Sequence, residues 1–380
     1  MKNYIYLLLI LSLFSCKKEK EKLTNNSIKV KKTIKHATGF DIKKTKEYTV
    51  LIIKSPFPDA KKNIEYVLVN EKHYNKVSEI PAFAGMTIVK MPIKRIVTTS
   101  TTHIPMLELL NEETSLVGFP HAKYISSPKT RALIDNGKIT ELGKEQSMNT
   151  EILIDLKPDA VIGFSLSSNN KMFATIEKFG IPVILNGDWL EKTPLGRAEW
   201  IKFFGVLYGK EEQANKIFNN IEKEYNKVKD LAKNSKSKPK VLSGVMHKDK
   251  WNLPAGESYV AQFLRDANIN YPWQNTKGNG SLSLSFESVF EKASDATIWI
   301  GPGYFDSLKQ LEEANQHYAK FNAFRNKKVY NFTKRKGKTG GVLYYELAPI
   351  QPHIVLKDII KVAHPELLDG YIPFYLDVID

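Results

Sequence analysis

Cysteine is almost absent: Cys16 is the only one in 380 residues. That excludes a disulfide framework and every zinc site built on paired thiolates. The eight histidines are scattered, and no two stand at metal-ligand spacing within a helix-like stretch. Long apolar runs are lacking too. The run at the N-terminus, Tyr4 to Phe14, has eleven residues, short of the roughly 20 that a bilayer-crossing helix needs. There is no HExxH and no phosphate-binding loop, and Gly163-Phe164-Ser165-Leu166-Ser167 lacks the last glycine of a nucleophile elbow. Gly301-Pro302-Gly303 and Gly278-Asn279-Gly280 lack the third glycine of a dinucleotide fingerprint and predict turns. These absences remove the direct arguments for an enzyme without excluding one.

Charge is plentiful but uneven. Of a net +15, the stretch Lys17–His36 alone carries eight lysines against two glutamates. The rest is mildly basic and bears no nucleic-acid-binding signature, so no nucleic-acid partner is expected. Lys2, the short apolar run and Ser15 have the charge, length and small-residue exit of a secretory signal. Leu13-Phe14-Ser15-Cys16 resembles the lipobox of bacterial lipoproteins, which implies cleavage before Cys16 and acylation of its thiol. Acyl chains contribute about 0.8 kcal/mol per buried CH₂, so several would anchor the chain to a membrane. The expected division is a signal peptide over 1–16 and a flexible tether over 17–38, too polar to fold.

From residue 39 the sequence reads as structured. Tyr48–Ile53 and Ile64–Val69 are β-branched and aromatic runs around a Pro-rich turn, and predict a small β-rich extension over 39–90. Residues 71–90 show no period and predict a loop. Strand and helix signals then alternate. Short apolar strands are expected at Arg95–Thr99, Ser115–Phe119, Ala160–Phe164 and Ile181–Leu185, with helices between them opened by Asn149 or Thr150 and closed by Pro158 and Gly180. Alternation of this kind means a parallel sheet with helices on its faces. Gly196 to Lys233 keeps helical spacing and predicts one long helix, with interruption possible at Gly205 or Gly209. A second strand–helix series follows: Val241–Met246, Tyr259–Ala267, Phe286–Ala293 capped by Ser285, Ala296–Gly301, Lys328–Phe332 and Pro352–Ala363. The fold class is therefore α/β. It has two Rossmann-like lobes (91–195 and 236–380) joined by a linking helix (196–235), plus the N-terminal β segment.

Ligands of open α/β sheets bind at the C-terminal strand ends. Those ends hold Thr101, Thr102 and His103; His121 and Tyr124; Phe164; Asp188 and Trp189; Trp251; Tyr304; and Arg335. The set is rich in aromatic and hydrogen-bonding groups and poor in paired carboxylates. It suits a large, flat, partly apolar ligand better than acid–base catalysis, so no catalytic residue, cofactor or protein-held metal is expected. Lys334–Gly341, with four cations and three glycines, reads as a solvated loop or as an anion site.

Lys94-Arg95-Ile96-Val97 with Ser100, Leu116-Val117-Gly118, Met148 to Leu153 running into Leu156 to Gly163, Gly180-Ile181-Pro182-Val183 and Ser285 to Val289 together resemble a known family. It comprises the substrate-binding proteins of ABC importers for iron complexes and vitamin B12, and the likeness covers roughly residues 90–365. The resemblance implies two lobes on a stiff helical spine that close slightly on ligand. It also implies delivery to a permease and its ATPase subunits, with Glu151 and Glu287 as the docking carboxylates, one per lobe. First-turn carboxylates also serve their own helix dipoles. The expectation is thus a monomeric, lipid-anchored protein of the cell envelope or periplasm that captures an iron siderophore, haem or corrinoid. The alternatives are a binding protein for a bare metal ion, with Thr101-Thr102-His103 and His121 as ligands, or for an oxyanion, and an envelope hydrolase working in the same cleft.

Overall fold

The computed structural model describes residues 33–380. The signal segment, Cys16 and most of the tether lie outside the described residues. The end of the tether does not float. Ile34 is buried, and the backbone N–H groups of Lys35, His36 and Ala37 donate to the Glu199 carboxylate at 2.6–2.9 Å. Those of Thr38 and Gly39 donate to Glu191. Both glutamates are buried, and Lys202 Nζ balances Glu199 at 2.7 Å. Residues 34–38, expected as the end of a flexible tether, are therefore packed on the body, because two buried carboxylates need donors and this strap supplies them.

The extension forms a sheet in the order β1–β2–β3–β4: β1 (Phe40–Lys44), β2 (Tyr48–Ile53), β3 (Ile64–Asn70) and β4 (Thr87–Met91). The first three strands pair antiparallel and β4 joins β3 in parallel. The segment expected as a loop is a crossover of short turns, Glu71–His73, Tyr74–Ser78 and Pro81–Phe83, that ends in β4. One face of the sheet packs on the body, with Phe40 against Trp200 at 4.6 Å between centroids. Tyr66 Oη accepts the Leu185 N–H at 3.0 Å.

The first lobe holds a parallel sheet of β5 (Ile96–Thr98), β6 (Leu116–Phe119), β7 (Thr140–Glu141), β10 (Ala160–Gly163) and β11 (Val183–Leu185), in the order β11–β10–β5–β6–β7. A two-stranded hairpin, β8 (Gly143–Lys144) and β9 (Ser147–Met148), follows β7. The second lobe holds β12 (Val241–Ser243), β16 (Ile298–Ile300), β17 (Val329–Asn331) and an antiparallel edge strand β18 (Asp377–Val378), in the order β12–β16–β17–β18. Beside it lies an antiparallel sheet of β13 (Val245–His247), β14 (Lys250–Pro254) and β15 (Ser281–Leu284). The run Val241–Met246 is therefore two strands. Gly244 splits them at φ +78°, where a Cβ would lie 2.0 Å from the Asn252 carbonyl oxygen.

Between the lobes the helical run is broken into Pro194–Glu199, Ile201–Leu207 and Glu211–Ala232. The last helix, about 33 Å long at 1.5 Å per residue, is opened by Glu211 and Glu212. The break preceding it falls at Gly209, in the left-handed region at φ +66°. Gly205 instead stays helical and lets the helices cross closely, since a Cβ there would come 2.5 Å from that of Ala214.

Candidate functional site

The parallel strands of the two lobes end at a shared cleft of about 590 Å³. Thr99, Ser100 and Thr101 reach it from the end of β5, Phe119, Pro120, His121 and Tyr124 from β6, and Phe164 from β10. The second lobe supplies Tyr304 after β16, Lys336, Gly340 and Val342 from the loop after β17, and Tyr345 from the first turn of the helix Leu343–Leu347. The Tyr304 and Tyr345 rings lie 6.0 Å apart. Tyr304 is 73% exposed and Tyr345, more enclosed, 46%, so the cleft presents aromatic faces to whatever enters it. Burial and the neighbouring Tyr304 raise the Tyr345 phenol above its ordinary range, so it stays a hydrogen-bond donor at neutral pH.

Of the candidates named from sequence, Thr101, His121, Tyr124, Phe164 and Tyr304 line this cleft. His121 is set there by a left-handed backbone, φ +51°, whose N–H groups at 121 and 122 donate to Glu141. The remaining candidates do other work. Thr102 donates to the buried Asp188 carboxylate at 3.1 Å. His103 is buried against Phe204, and burial pushes its imidazole down to about 4 despite the opposing charge of Asp188. It is a neutral core residue. Trp189 backs Phe164 edge-on at 6.1 Å. Trp251 is fully buried in an aromatic nest of Trp299, Tyr318 and Phe321, its indole N–H donating to the Ser243 carbonyl. The split at Gly244 turns β13 and β14 away from the parallel sheet, which is why Trp251 misses the cleft. Arg335 turns inward, over Phe374 and toward Asp377 at 3.5 Å, and its neighbour Lys336 lines the cleft instead.

Two features escaped the sequence. Among the described residues, Glu145, at the tip of the β8–β9 hairpin, is the one carboxylate lining the cleft. Burial pushes its carboxyl up to about 7, against the lowering effect of the Thr99 hydroxyl. The glycines of the Lys334–Gly341 loop serve a contact between lobes. A Cβ on Gly341 would lie 2.2 Å from the Tyr124 carbonyl oxygen, and one on Gly337 2.8 Å from Ser126 Cα. Thr339 Oγ1 donates to the Lys123 carbonyl at 2.6 Å, and Glu346 accepts the backbone N–H groups of Ser126 and Ser127 at 2.5 and 2.9 Å. Glu151 and Glu287 lie away from the cleft, exposed in the first turns of helices Thr150–Asp155 and Phe286–Ala293, which Asn149 and Ser285 cap. Its own backbone N–H at the helix start and, after it, the Ser285 hydroxyl hold the Glu287 carboxyl below its ordinary value. Among the described residues no cluster of three or more His, Cys, Asp or Glu could hold a metal ion, and no helix is long and apolar enough to cross a membrane.

A family profile described as "periplasmic binding protein" matches residues 96–335. An uncharacterised lipoprotein of Methanocaldococcus jannaschii is 27% identical over 78% of this chain and 72% of its own. Two solved structures share the fold. A possible iron-binding, periplasmic solute-binding protein from Staphylococcus epidermidis superposes with a TM-score of 0.57 at 18% identity, over 72% of this chain and 99% of its own. A periplasmic haem-binding protein from Pseudomonas aeruginosa does so with a TM-score of 0.57 at 16% identity, over 76% and 98%.

Proposed function

Since this chain belongs to the periplasmic binding protein family, we propose that it captures an iron chelate, a ferric siderophore or haem, between its lobes and hands it to an ABC permease. A corrinoid is the other ligand of this class. The observation that carries the reading is the cleft itself: aromatic faces and hydroxyl groups from both lobes surround about 590 Å³, within the range of small-molecule sites. A single lining carboxylate suits holding a ligand better than general acid–base chemistry. A bare metal ion is the weaker reading, because His103 is sequestered in the core and His121 stands in the cleft without a second imidazole. The haem- and iron-binding descriptions of the two structural neighbours agree with the chelate.

The test is titration of the purified protein with haem, a ferric trihydroxamate, a ferric tris-catecholate and cobalamin, followed by absorbance and native mass spectrometry. Stoichiometric binding of one of these is expected. Turnover of an ester panel with no chelate bound would replace capture by an envelope hydrolase. Delivery is assigned to Glu151 and Glu287, exposed on separate lobes. Anchoring is assigned to acylated Cys16, which agrees with the lipoprotein name of the archaeal relative. Cys16→Ser should leave the protein in the soluble fraction of cells, and a variant that still partitions with membranes like the wild type would refute the anchor.

A further inference from the structure

A chain of hydroxyl groups at the end of β5 joins the cleft to a buried carboxylate. Asp188 is 5% exposed and accepts from Thr102 Oγ1 at 3.1 Å. Thr102 Oγ1 lies 2.9 Å from Ser100 Oγ, and Ser100 lines the cleft. A carboxylate oxygen accepts, and a threonine hydroxyl carries a single proton. With that proton given to Asp188, the bond between the two hydroxyls runs one way: Ser100 donates and Thr102 accepts. The Thr102 backbone N–H, 3.3 Å from Ser100 Oγ, occupies one lone pair of the serine. What Ser100 has left for the cleft is its other lone pair. A buried carboxylate thus sets the polarity of a hydroxyl that a ligand meets.

We propose that Ser100, oriented by Thr102 and Asp188, is a fixed hydrogen-bond acceptor that selects a chelate with amide N–H groups at its periphery, a siderophore or a corrinoid, over haem. This rests on the capture reading above and narrows it. The Lys336 ammonium and the Tyr345 phenol are donors on the opposite wall and suit oxygen atoms of a chelate. Ser100 asks for the reverse. Haem with iron in place has no N–H left, and its edge bears methyl, vinyl and propionate groups. A propionate at Ser100 sets lone pair against lone pair. A site built to pair with a donor rejects a ligand that lacks one, because its own polar group is then left unpaired.

The experiment titrates the protein with matched pairs: a ferric trihydroxamate with secondary amides against its N-methylated counterpart, and a corrinoid with amide side chains against the same corrinoid as methyl esters. Haem is the third scaffold. In whichever amide scaffold binds, the N–H member should bind about 10-fold more tightly, the worth of one buried hydrogen bond. Ser100→Ala should remove that preference. Thr102→Val keeps Ser100 in the cleft but frees its proton, so the preference should fall there too, and Thr102→Ser, which keeps the relay, should retain it. A merely structural role for Thr102 would lower both affinities and leave their ratio alone. Should Thr102→Val fail to fold, the wild-type ratio and Ser100→Ala decide. Equal affinity within each pair, a ratio that survives Ser100→Ala or Thr102→Val, or haem bound more tightly than the amide scaffolds would overturn the assignment and leave capture standing. Failure of every scaffold to bind would overturn capture and the assignment with it.

Discussion

At the scale of single residues, position along a strand says less than which way the strand turns afterwards. Trp251 and Tyr304 both follow second-lobe strand signals, yet the first is wholly buried and the second 73% exposed in the cleft. Trp251→Ala should cost roughly 3–5 kcal/mol of stability, the range for emptying a packed aromatic site, and affect ligand only through that loss. Tyr304→Ala should leave the urea midpoint nearly unchanged and weaken chelate binding by about 1–3 kcal/mol, as for an aromatic contact in a recognition site. Denaturation and titration of both variants check the pair, and the reverse pattern would move Trp251 into the cleft. The same contrast explains what the sequence could and could not tell. Thr101, His121 and Phe164 were legible because each directly follows a buried parallel strand. Glu145 was not, because a lone acid at the tip of a six-residue hairpin has no periodicity and looks like any solvated surface charge. Arg335 and Lys336 are neighbours of like charge, and only the fold decides which one lines the cleft.

At the scale of elements, the strands of the extension and the parallel core were legible from β-branched runs and from helix caps such as Asn149 and Ser285. The crossover from Glu71 to Phe83 was not, since one-turn helices bury too few residues to leave a period. The glycines of the loop after β17 were legible as glycines but not as to purpose. They allow that loop to lie against Tyr124 and Ser126 of the other lobe. Gly341→Ala should therefore hold the lobes apart: its new Cβ meets a carbonyl oxygen at 2.2 Å, and backbone yields less readily than a flexible side chain. Chelate affinity is expected to fall by more than tenfold with a small change in melting temperature, and the radius of gyration in solution scattering should rise. Unaltered scattering and affinity would show that the loop adapts. The helix starts bearing Glu151 and Glu287 make the opposite case. Charge reversal of both to Lys removes from each helix the favourable interaction of a first-turn carboxylate with its dipole and touches no cleft residue. If the two carboxylates dock on a permease as proposed, ligand affinity should hold while ATPase stimulation of that permease collapses, because like charges would then meet. A double variant that still stimulates the permease would return both glutamates to helix capping alone.

At the scale of the whole molecule, the carboxylate of Glu346 joins the two lobes. It is almost fully buried and takes backbone N–H groups from Ser126 and Ser127. Burial pushes its carboxyl up to about 7. The two backbone donors oppose that, and the nearby Glu108 charge reinforces it. A carboxyl whose folded value lies above its unfolded value of 4.5 binds more protons when folded. Its contribution to stability is therefore complete below about pH 4.5 and is lost as pH rises through about 7. On that count the contact between the lobes should be most stable in mild acid. Glu145, raised to about 7 by its own burial, adds a slope of the same sign, so the two must be separated by substitution. Glu346→Gln keeps the shape and an acceptor for the Ser126 and Ser127 donors while removing the titration. In urea titrations between about pH 5 and pH 8, the wild type should lose stability relative to Glu346→Gln as pH rises, while the opposite contribution of His103, held at about 4 by burial, is common to both. Glu145→Gln should show a difference of the same sign, and the double variant the largest. A wild-type slope untouched by Glu346→Gln would mean that the carboxylate keeps its charge through the whole range, held ionised by the two backbone donors, and that the contact between lobes carries no pH dependence of its own.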